Sequence, residues 1–126
     1  MHELYHYRAR VLSVYDGDSF HAAVDLGMNI EQKDLMIRLA GIDAPEIRGD
    51  ERPEGLKAEE FLRGLIGGEE VILRTYKDDT GKYGRYYAEV YVPQLEDTVE
   101  DYETVQDMVN VSDLMVEEGF AEKVEY

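Results

Sequence analysis

Alternating apolar and polar residues occupy most of this chain, and a single helical stretch interrupts them in the middle. The alternation predicts five strands, over residues 7–15, 20–26, 35–42, 70–76 and 85–92. Apolar residues at helical spacing predict one amphipathic helix between the third and fourth strands and a second helix after the fifth. The order β-β-β-α-β-β-α is that of an OB-fold barrel, so we predict a mainly β, α+β fold built on a five-stranded OB-fold barrel.

Turn and capping residues set the predicted boundaries. Asp16-Gly17 predicts a tight turn through positive φ, and residues 48–55 predict a loop before the first helix. Gly67-Gly68 is expected to end that helix, while Ser112 and Gly119 are expected to cap the second helix at its two ends. Alternation in the first strand places five residues on one face: Tyr7, Ala9, Val11, Ser13 and Tyr15.

The length of 126 residues predicts a single domain over residues 1–126. The absence of cysteine excludes disulfides, thiolate catalysis and cysteine-ligated zinc. No stretch approaches the roughly 20 apolar residues of a membrane span, and the N-terminus lacks the pattern of a signal peptide. We therefore expect a cytoplasmic or virus-encoded protein with no membrane partner. A monomer is the default expectation, because nothing in the sequence indicates an oligomer.

The net charge of -16 argues against a nucleic-acid partner, because phosphate binding usually uses a basic face. Residues 1–92, however, hold 18 acidic and 12 basic residues, whereas residues 93–126 hold 11 acidic residues and one basic residue. The excess charge is thus concentrated in the last quarter of the chain. Adaptation to high salt and an acidic tail that tunes binding both explain this pattern.

Three short segments near the ends of predicted strands carry the chemistry: residues 16–19, 37–46 and 82–85. Asp18 and Asp43 offer carboxylates, and the carbonyl group of Ala44 could add a backbone oxygen. Two carboxylates, a carbonyl and several waters suit Ca²⁺, which prefers oxygen ligands. The simpler interpretation of Asp18 is that it shapes a hairpin turn.

Arg38 and Asp43 are five positions apart, so strict alternation places them on opposite faces of the strand. A shared site requires a kink, for which Gly41 is the natural position. Glu46 follows a proline and is either a solvated loop carboxylate or a group that activates a water. Lys82, Tyr83 and Arg85 form either an ordinary basic turn or a phosphate-binding segment.

Taken together, these segments resemble the staphylococcal nuclease (thermonuclease) family, over roughly residues 7–92 and again over about 109–124. The specific combination is Arg-x-x-x-x-Asp-x-Pro-Glu at 38–46, followed by Lys-Tyr-Gly-Arg at 82–85 after one helix and one strand. Three departures from the family pattern are Ala44 in place of a common threonine, Gly81 in place of a frequent aspartate, and an acidic insertion at residues 93–108.

The resemblance implies a role for eight residues. It implies that Asp18, Asp43 and the Ala44 carbonyl bind calcium, and that Arg38 and Arg85 bind the phosphate and stabilise the transition state. Glu46 corresponds to the glutamate usually given the general-base role. The remaining two residues correspond to contacts with the nucleotide phosphate: Lys82 and Tyr83.

The function implied by the resemblance is a calcium-dependent phosphodiesterase, an endonuclease. It would hydrolyse DNA and/or RNA in single-stranded or accessible regions and leave 3′-phosphate ends. The alternative is a non-catalytic OB-fold module that binds nucleic acid or protein. A third interpretation is a decoy whose acidic region at residues 93–126 binds a basic partner.

Overall fold

The computed structural model describes residues 4–80 and 86–124, without the side chains of residues 77–80. In this part of the chain the strands and helices follow in the order β1 (His6–Asp16), β2 (Ser19–Gly27), β3 (Ile30–Leu39), β4 (Ile42–Asp43), α1 (Arg52–Ile66), β5 (Glu70–Thr80), β6 (Tyr86–Val92), β7 (Val109–Asn110), α2 (Val111–Glu117) and β8 (Glu122–Lys123). Two short 3-10 turns cover Gly49–Glu51 and Val99–Asp101. Neither α1 nor α2 is long and apolar enough to cross a membrane.

The five long strands form a closed barrel. β1 lies at the centre of the sheet order β3-β2-β1-β5-β6, and the short β7 extends this sheet beyond β6. A parallel pairing of β3 with β6, in which Ile37 is opposite Tyr86 and Leu39 is opposite Ala88, joins the two ends. Closure removes the free edges of the five-stranded sheet. The prediction of a mainly β OB-fold barrel with two helices is therefore confirmed.

Helix α1 packs against the barrel and completes the main core. Its buried side chains Ala58, Leu62 and Ile66 recur every four residues, as the predicted amphipathic pattern requires. They pack in one cluster with barrel residues such as Phe20 and Leu39, which are fully buried. This packing fixes α1 against the barrel, and with it the segment that precedes the helix.

The predicted alternation along β1 is wrong beyond Val11. The pairing of β1 with β2 shifts register between Val11 and Ser13, and again before Asp16. Each shift adds an unpaired residue and turns the following side chains to the other face. Ala9 and Val11 are accordingly buried, whereas Ser13 and Tyr15 are exposed and Asp16 is buried.

The predicted positive φ at Gly17 is also wrong, because Gly17 is not among the positive-φ glycines. The need for glycine there is steric. A Cβ atom on Gly17 would lie 2.7 Å from the Cβ atom of Ala58 and 2.8 Å from that of Ala44. Glycine thus lets the β1–β2 turn pack directly against α1 and against the chain that follows β4.

Helix boundaries agree with the predictions at the C-termini and differ at the N-termini. Gly68 and Gly119 have positive φ, of 72° and 83°, as expected after a helix. Helix α1, however, begins at Arg52 with a proline in its first turn, so the predicted loop over residues 48–55 is shorter than expected.

The predicted N-cap of α2 is wrong by two residues. The side chain of Asn110 accepts a hydrogen bond from the Asp113 N–H at 3.1 Å and caps the helix. Ser112 lies inside the helix, where its hydroxyl donates to the carbonyl of Ala40 at 2.9 Å. It therefore anchors α2 to the chain just after β3.

The acidic segment over residues 93–108 lies on the outside of the barrel. Ile72 of β5 is opposite Tyr91 of β6, and both belong to a second apolar cluster that is separate from the main core. Val99 and Met108 of the acidic segment are buried in this cluster. The segment therefore covers an apolar patch on the outer face of β5 and β6.

Candidate active site

Three strand ends meet at one end of the barrel and form the candidate site. Asp18 lies in the β1–β2 turn, Arg38 is the penultimate residue of β3, and Asp43 is the last residue of β4. The backbone N–H of Leu39 donates to the carbonyl of Asp18 at 2.8 Å, which holds the first two elements together. Gly41, with φ of 80°, separates β3 from β4 and supplies the predicted kink.

The guanidinium of Arg38 joins two carboxylates that are far apart in sequence. Its Nη1 atom lies 2.6 Å from Oδ2 of Asp18, and its Nη2 atom lies 3.3 Å from Oδ1 of Asp43. Nη2 also donates to the carbonyl of Ile42 at 3.3 Å. The Asp18 side chain is 6% exposed, that of Arg38 is 16% exposed and that of Asp43 is 65% exposed. The site therefore runs from a buried inner carboxylate to a solvent-facing outer one.

Asp18 is held in its ionised form by its neighbours. Burial raises the pKa of its carboxyl group, but hydrogen bonding with Asp16 and with the Ala44 N–H, together with the charge and hydrogen bond of Arg38, outweighs burial and lowers that pKa below the ordinary value. The Ala44 N–H donates to Oδ2 at 3.0 Å and the Ser19 hydroxyl donates to Oδ1 at 3.2 Å. The carboxylate of Asp18 is therefore ionised and fixed in position.

Glu46 lies on the segment between β4 and α1 and lines the same cleft. Its side chain is exposed, and its backbone N–H donates to Oε2 of Glu51 at 3.4 Å. A Cβ atom on Gly55, in the first turns of α1, would overlap the carbonyl group of Glu46. The absence of a side chain at Gly55 therefore lets the Glu46 backbone rest directly on the helix.

The cleft has a volume of about 350 Å³ and a mainly polar lining. It brings together five of the eight residues predicted for the site: Asp18, Arg38, Asp43, Ala44 and Glu46. Their catalytic and metal-binding roles remain predictions. The other three predicted residues, Lys82, Tyr83 and Arg85, lie outside the described residues.

Four further polar residues of the cleft were missed by sequence reasoning: Tyr15, Asp16, Arg48 and Tyr87. Asp16 was interpreted only as a turn former, although its Oδ1 atom accepts the N–H of Asp18 at 3.0 Å. Tyr15 was predicted to share a face of β1 with Ala9 and Val11, which the register shift contradicts. Arg48 belongs to the predicted loop, and no pattern in its neighbourhood singled it out.

Within residues 4–80 and 86–124, no group of three or more histidine, cysteine, aspartate or glutamate side chains has the arrangement of a metal site. The side-chain atoms in the cleft that could bind a metal ion are all oxygen atoms, which are the ligands that hard cations prefer. Four carboxylates line the cleft beside two described guanidinium groups, those of Arg38 and Arg48. This balance favours a cation over a bare anion as the first ligand.

The fold and this cleft define a class: an OB-fold barrel with carboxylates and arginines gathered where its strands end. A family model described as staphylococcal nuclease homologue matches residues 36–126. The chain therefore belongs to the staphylococcal nuclease homologue family, and the resemblance seen in the sequence is confirmed. The match begins after Asp18, so it is the structure that connects this carboxylate to Arg38 and Ala44.

One curated relative is the protein named "Probable endonuclease LCL3" from Coccidioides posadasii (strain C735). It is 33% identical over 102 residues, which cover 66% of this chain and 32% of that protein. The chain thus spans about a third of the length of this relative.

Proposed function

We propose that the protein is a metal-dependent nuclease, an endonuclease that hydrolyses phosphodiester bonds of DNA and/or RNA in single-stranded or accessible regions. The observation that carries the proposal is the Arg38 guanidinium between Asp18 and Asp43, with Glu46 in the same cleft. A cation site, an anion-binding arginine and an acid–base group are the three parts that phosphodiester hydrolysis needs. Family membership and the name of the relative point the same way.

Calcium is the metal that the donors fit best. Asp18, Asp43 and the Ala44 carbonyl are hard oxygen donors, and Asp18 keeps its charge because its pKa is lowered. These residues would hold Ca²⁺ together with several waters. When bound, the ion would supply positive charge that polarises the phosphate and offsets the carboxylates. We include in the proposal that the bound metal is calcium and not another hard cation.

The protein's own groups have distinct roles in the proposed reaction. Glu46 takes a proton from a water as the water oxygen attacks phosphorus. Arg38 donates hydrogen bonds to the phosphate oxygens as negative charge increases on them, and Arg85 does so from the other segment named by the resemblance. The bond from phosphorus to the 5′-oxygen breaks and that oxygen takes up a proton from water, which leaves a 3′-phosphate and a 5′-hydroxyl. Lys82 and Tyr83 are assigned to the phosphate of the bound nucleotide.

The test is a cleavage assay on single-stranded DNA with Ca²⁺, using Glu46→Gln and Arg85→Ala. Each variant is expected to lose about a hundredfold or more in turnover, because one preorganised catalytic group is worth on that order. Glu60→Gln is the control, because it removes the same charge from an exposed position of α1 away from the cleft. Near-normal turnover in both site variants would refute the assignment of the site.

The second candidate is a binding module without catalysis, and the net charge of -16 favours it mildly. Calorimetric titration with Ca²⁺ separates the two. The nuclease proposal requires a calcium site that weakens in both Asp18→Asn and Asp43→Asn. The binding module predicts no such site and no cleavage at any concentration of Ca²⁺ or NaCl.

A further inference from the structure

We propose that Arg48 and Tyr15 together bind a phosphate of the nucleic acid next to the one that is cleaved. This inference rests on the proposed function, because it assumes a nucleic-acid strand in the cleft. It assigns the pair a role in substrate positioning and makes a strand with several phosphates the preferred substrate.

A hydrogen bond joins Arg48 and Tyr15 inside the cleft. Nη2 of Arg48 donates to the phenol oxygen of Tyr15 at 3.0 Å, and both side chains line the cleft. A phenol that accepts a hydrogen bond keeps its own O–H group for donation. The pair therefore offers guanidinium N–H groups and a phenol O–H side by side, a donor set that suits the oxygens of a phosphate.

The positive charge of Arg48 is not offset by a carboxylate among the described residues. Four of the other six described arginines form ion pairs with carboxylates within 3.5 Å, namely Arg8, Arg38, Arg63 and Arg74, and Arg38 is the only one of these four in the cleft. Among the described residues, no carboxylate lies within ion-pairing distance of Arg48, and a neutral phenol orients it instead. In a chain with 29 acidic and 13 basic residues, a cleft cation without a carboxylate partner there is available to an anionic ligand.

The position of the pair indicates a neighbouring phosphate rather than the cleaved one. Arg38 is mostly buried between the two carboxylates assigned to the metal, so the cleaved phosphate belongs beside it. Arg48 and Tyr15 are exposed at the rim of the same cleft. The register shift in β1 explains this placement, because it turns Tyr15 outward and Asp16 inward.

The test measures equilibrium binding of a short fluorescent single-stranded DNA at several NaCl concentrations, with Ca²⁺ present and in a Glu46→Gln background. Arg48→Ala is expected to bind about tenfold more weakly at low salt, because a charged hydrogen-bonding contact is lost. The slope of log Kd against log NaCl should become shallower by about 0.7, the value for one phosphate contact on a single strand. A variant that is merely partly misfolded would contain less active protein, and its remaining folded fraction would keep the slope of the parent.

Two further variants make the result specific. Arg10→Ala removes the same charge from an exposed position of β1 roughly 20 Å along the strand from Asp16, and should leave the slope unchanged. Tyr15→Phe should weaken binding about threefold with no change in slope, since it removes a donor but no charge. Equal slopes for Arg48→Ala and its parent, or no binding by the parent, would overturn the inference.

The same experiment separates this inference from the proposed function. Near-normal cleavage of the DNA by Glu46→Gln would contradict the role of Glu46, whereas the difference in slope between Arg48→Ala and its parent concerns Arg48 alone. As a second readout, Arg48→Ala in the otherwise unchanged protein should slow cleavage of an oligonucleotide but not of bis(p-nitrophenyl) phosphate, which has only one phosphate. Equal losses on both substrates would contradict a neighbouring-phosphate contact.

Discussion

The cleft end of the barrel and its outer face under the acidic segment are held together in different ways. At the cleft, charged groups are buried and paired, as with Asp18 and Arg38 at 2.6 Å. The neighbouring residue Ala44 packs against the main core, to which α1 also belongs. On the outer face, residues 93–108 are attached by a small apolar cluster around Val99 and by an exposed ion pair between Arg8 and Glu100 at 3.5 Å. The two regions differ less in how many charged residues they contain than in whether those residues are buried and ion-paired.

The location of the acidic segment explains how an acidic protein can offer a site to an anionic substrate. The charges of the acidic segment lie outside the barrel, and residues 93–108 contribute nothing to the described lining of the cleft. Exposed charges further apart than about 8 Å are largely screened at physiological salt. The groups that decide phosphate binding are therefore the few in the cleft, and the net charge of the whole chain is a poor guide to it.

The largest expected effect is on the main core. Leu62→Ala should lower the free energy of unfolding by about 3 kcal/mol, because Leu62 is fully buried between α1 and the barrel. Urea denaturation measures the change. The control is Leu56→Ala on the same helix, where the side chain is 41% exposed and the loss should be small. Equal losses would mean that α1 is not part of the main core.

Gly55→Ala should damage the cleft through the backbone of Glu46. The added methyl group overlaps the Glu46 carbonyl, which should cost about 2 kcal/mol in stability and about a hundredfold in cleavage by displacing Glu46. Gly64→Ala is the matched control, because a Cβ atom there meets nothing within 4 Å. Helix propensity predicts that this control is slightly more stable than the parent. Unchanged cleavage in Gly55→Ala would separate Glu46 from α1.

Val99→Ala tests the outer cluster and should have a smaller effect. The loss of two buried methyl groups predicts a free energy of unfolding about 1.5 kcal/mol lower, with cleavage unchanged because the cluster lies outside the barrel. Leu95→Ala, at a side chain that is 93% exposed, should alter neither quantity. A drop in cleavage by Val99→Ala at a temperature where the protein remains folded would show that the two regions are coupled.

The smallest effect concerns the alkaline titration of Tyr91 beneath the acidic segment. Burial, and then the charge and hydrogen bond of Glu89, raise the pKa of Tyr91 to about 12. Folding thus favours the neutral phenol. Its contribution to stability is complete below pH ~10, the ordinary pKa of tyrosine, and is lost as the pH rises through about 12.

Ultraviolet titration of the phenols measures this directly. Tyr91→Phe should remove one late-titrating phenol, and Glu89→Gln should move that step to lower pH because the neighbouring negative charge is gone. A late step that is unchanged in both variants would contradict the assignment to Tyr91.

Local sequence patterns predicted most of the fold. The apolar spacing of Ala58, Leu62 and Ile66 predicted α1, and the alternating stretches predicted the five long strands of the barrel. Gly119 ends α2 with hydrogen bonds from its own N–H to Val116 and from the Phe120 N–H to Met115, as a C-terminal glycine predicts. These features depend on residues a few positions apart, so the sequence displays them directly.

The features that failed depend on distant partners. Gly17 and Gly55 are required by Ala58 and Glu46, which pack against them only in the folded chain. Ser112 looked like a cap because nothing in its neighbourhood reveals the carbonyl of Ala40 as its acceptor. The bulges in β1 likewise arise from the pairing with β2, which an alternating pattern in one strand does not encode.

By itself, the sequence determined the order of the five long strands and the two helices, the family, and the candidate carboxylates and arginines with the kink at Gly41 that lets Arg38 reach Asp43. Only the tertiary structure decided that Arg38 lies between Asp18 and Asp43, and that Tyr15 and Arg48 meet at the rim of the same cleft. The physical reason is that periodicity and turn chemistry are local, whereas a site is made by strand register and by close approach between segments distant in sequence.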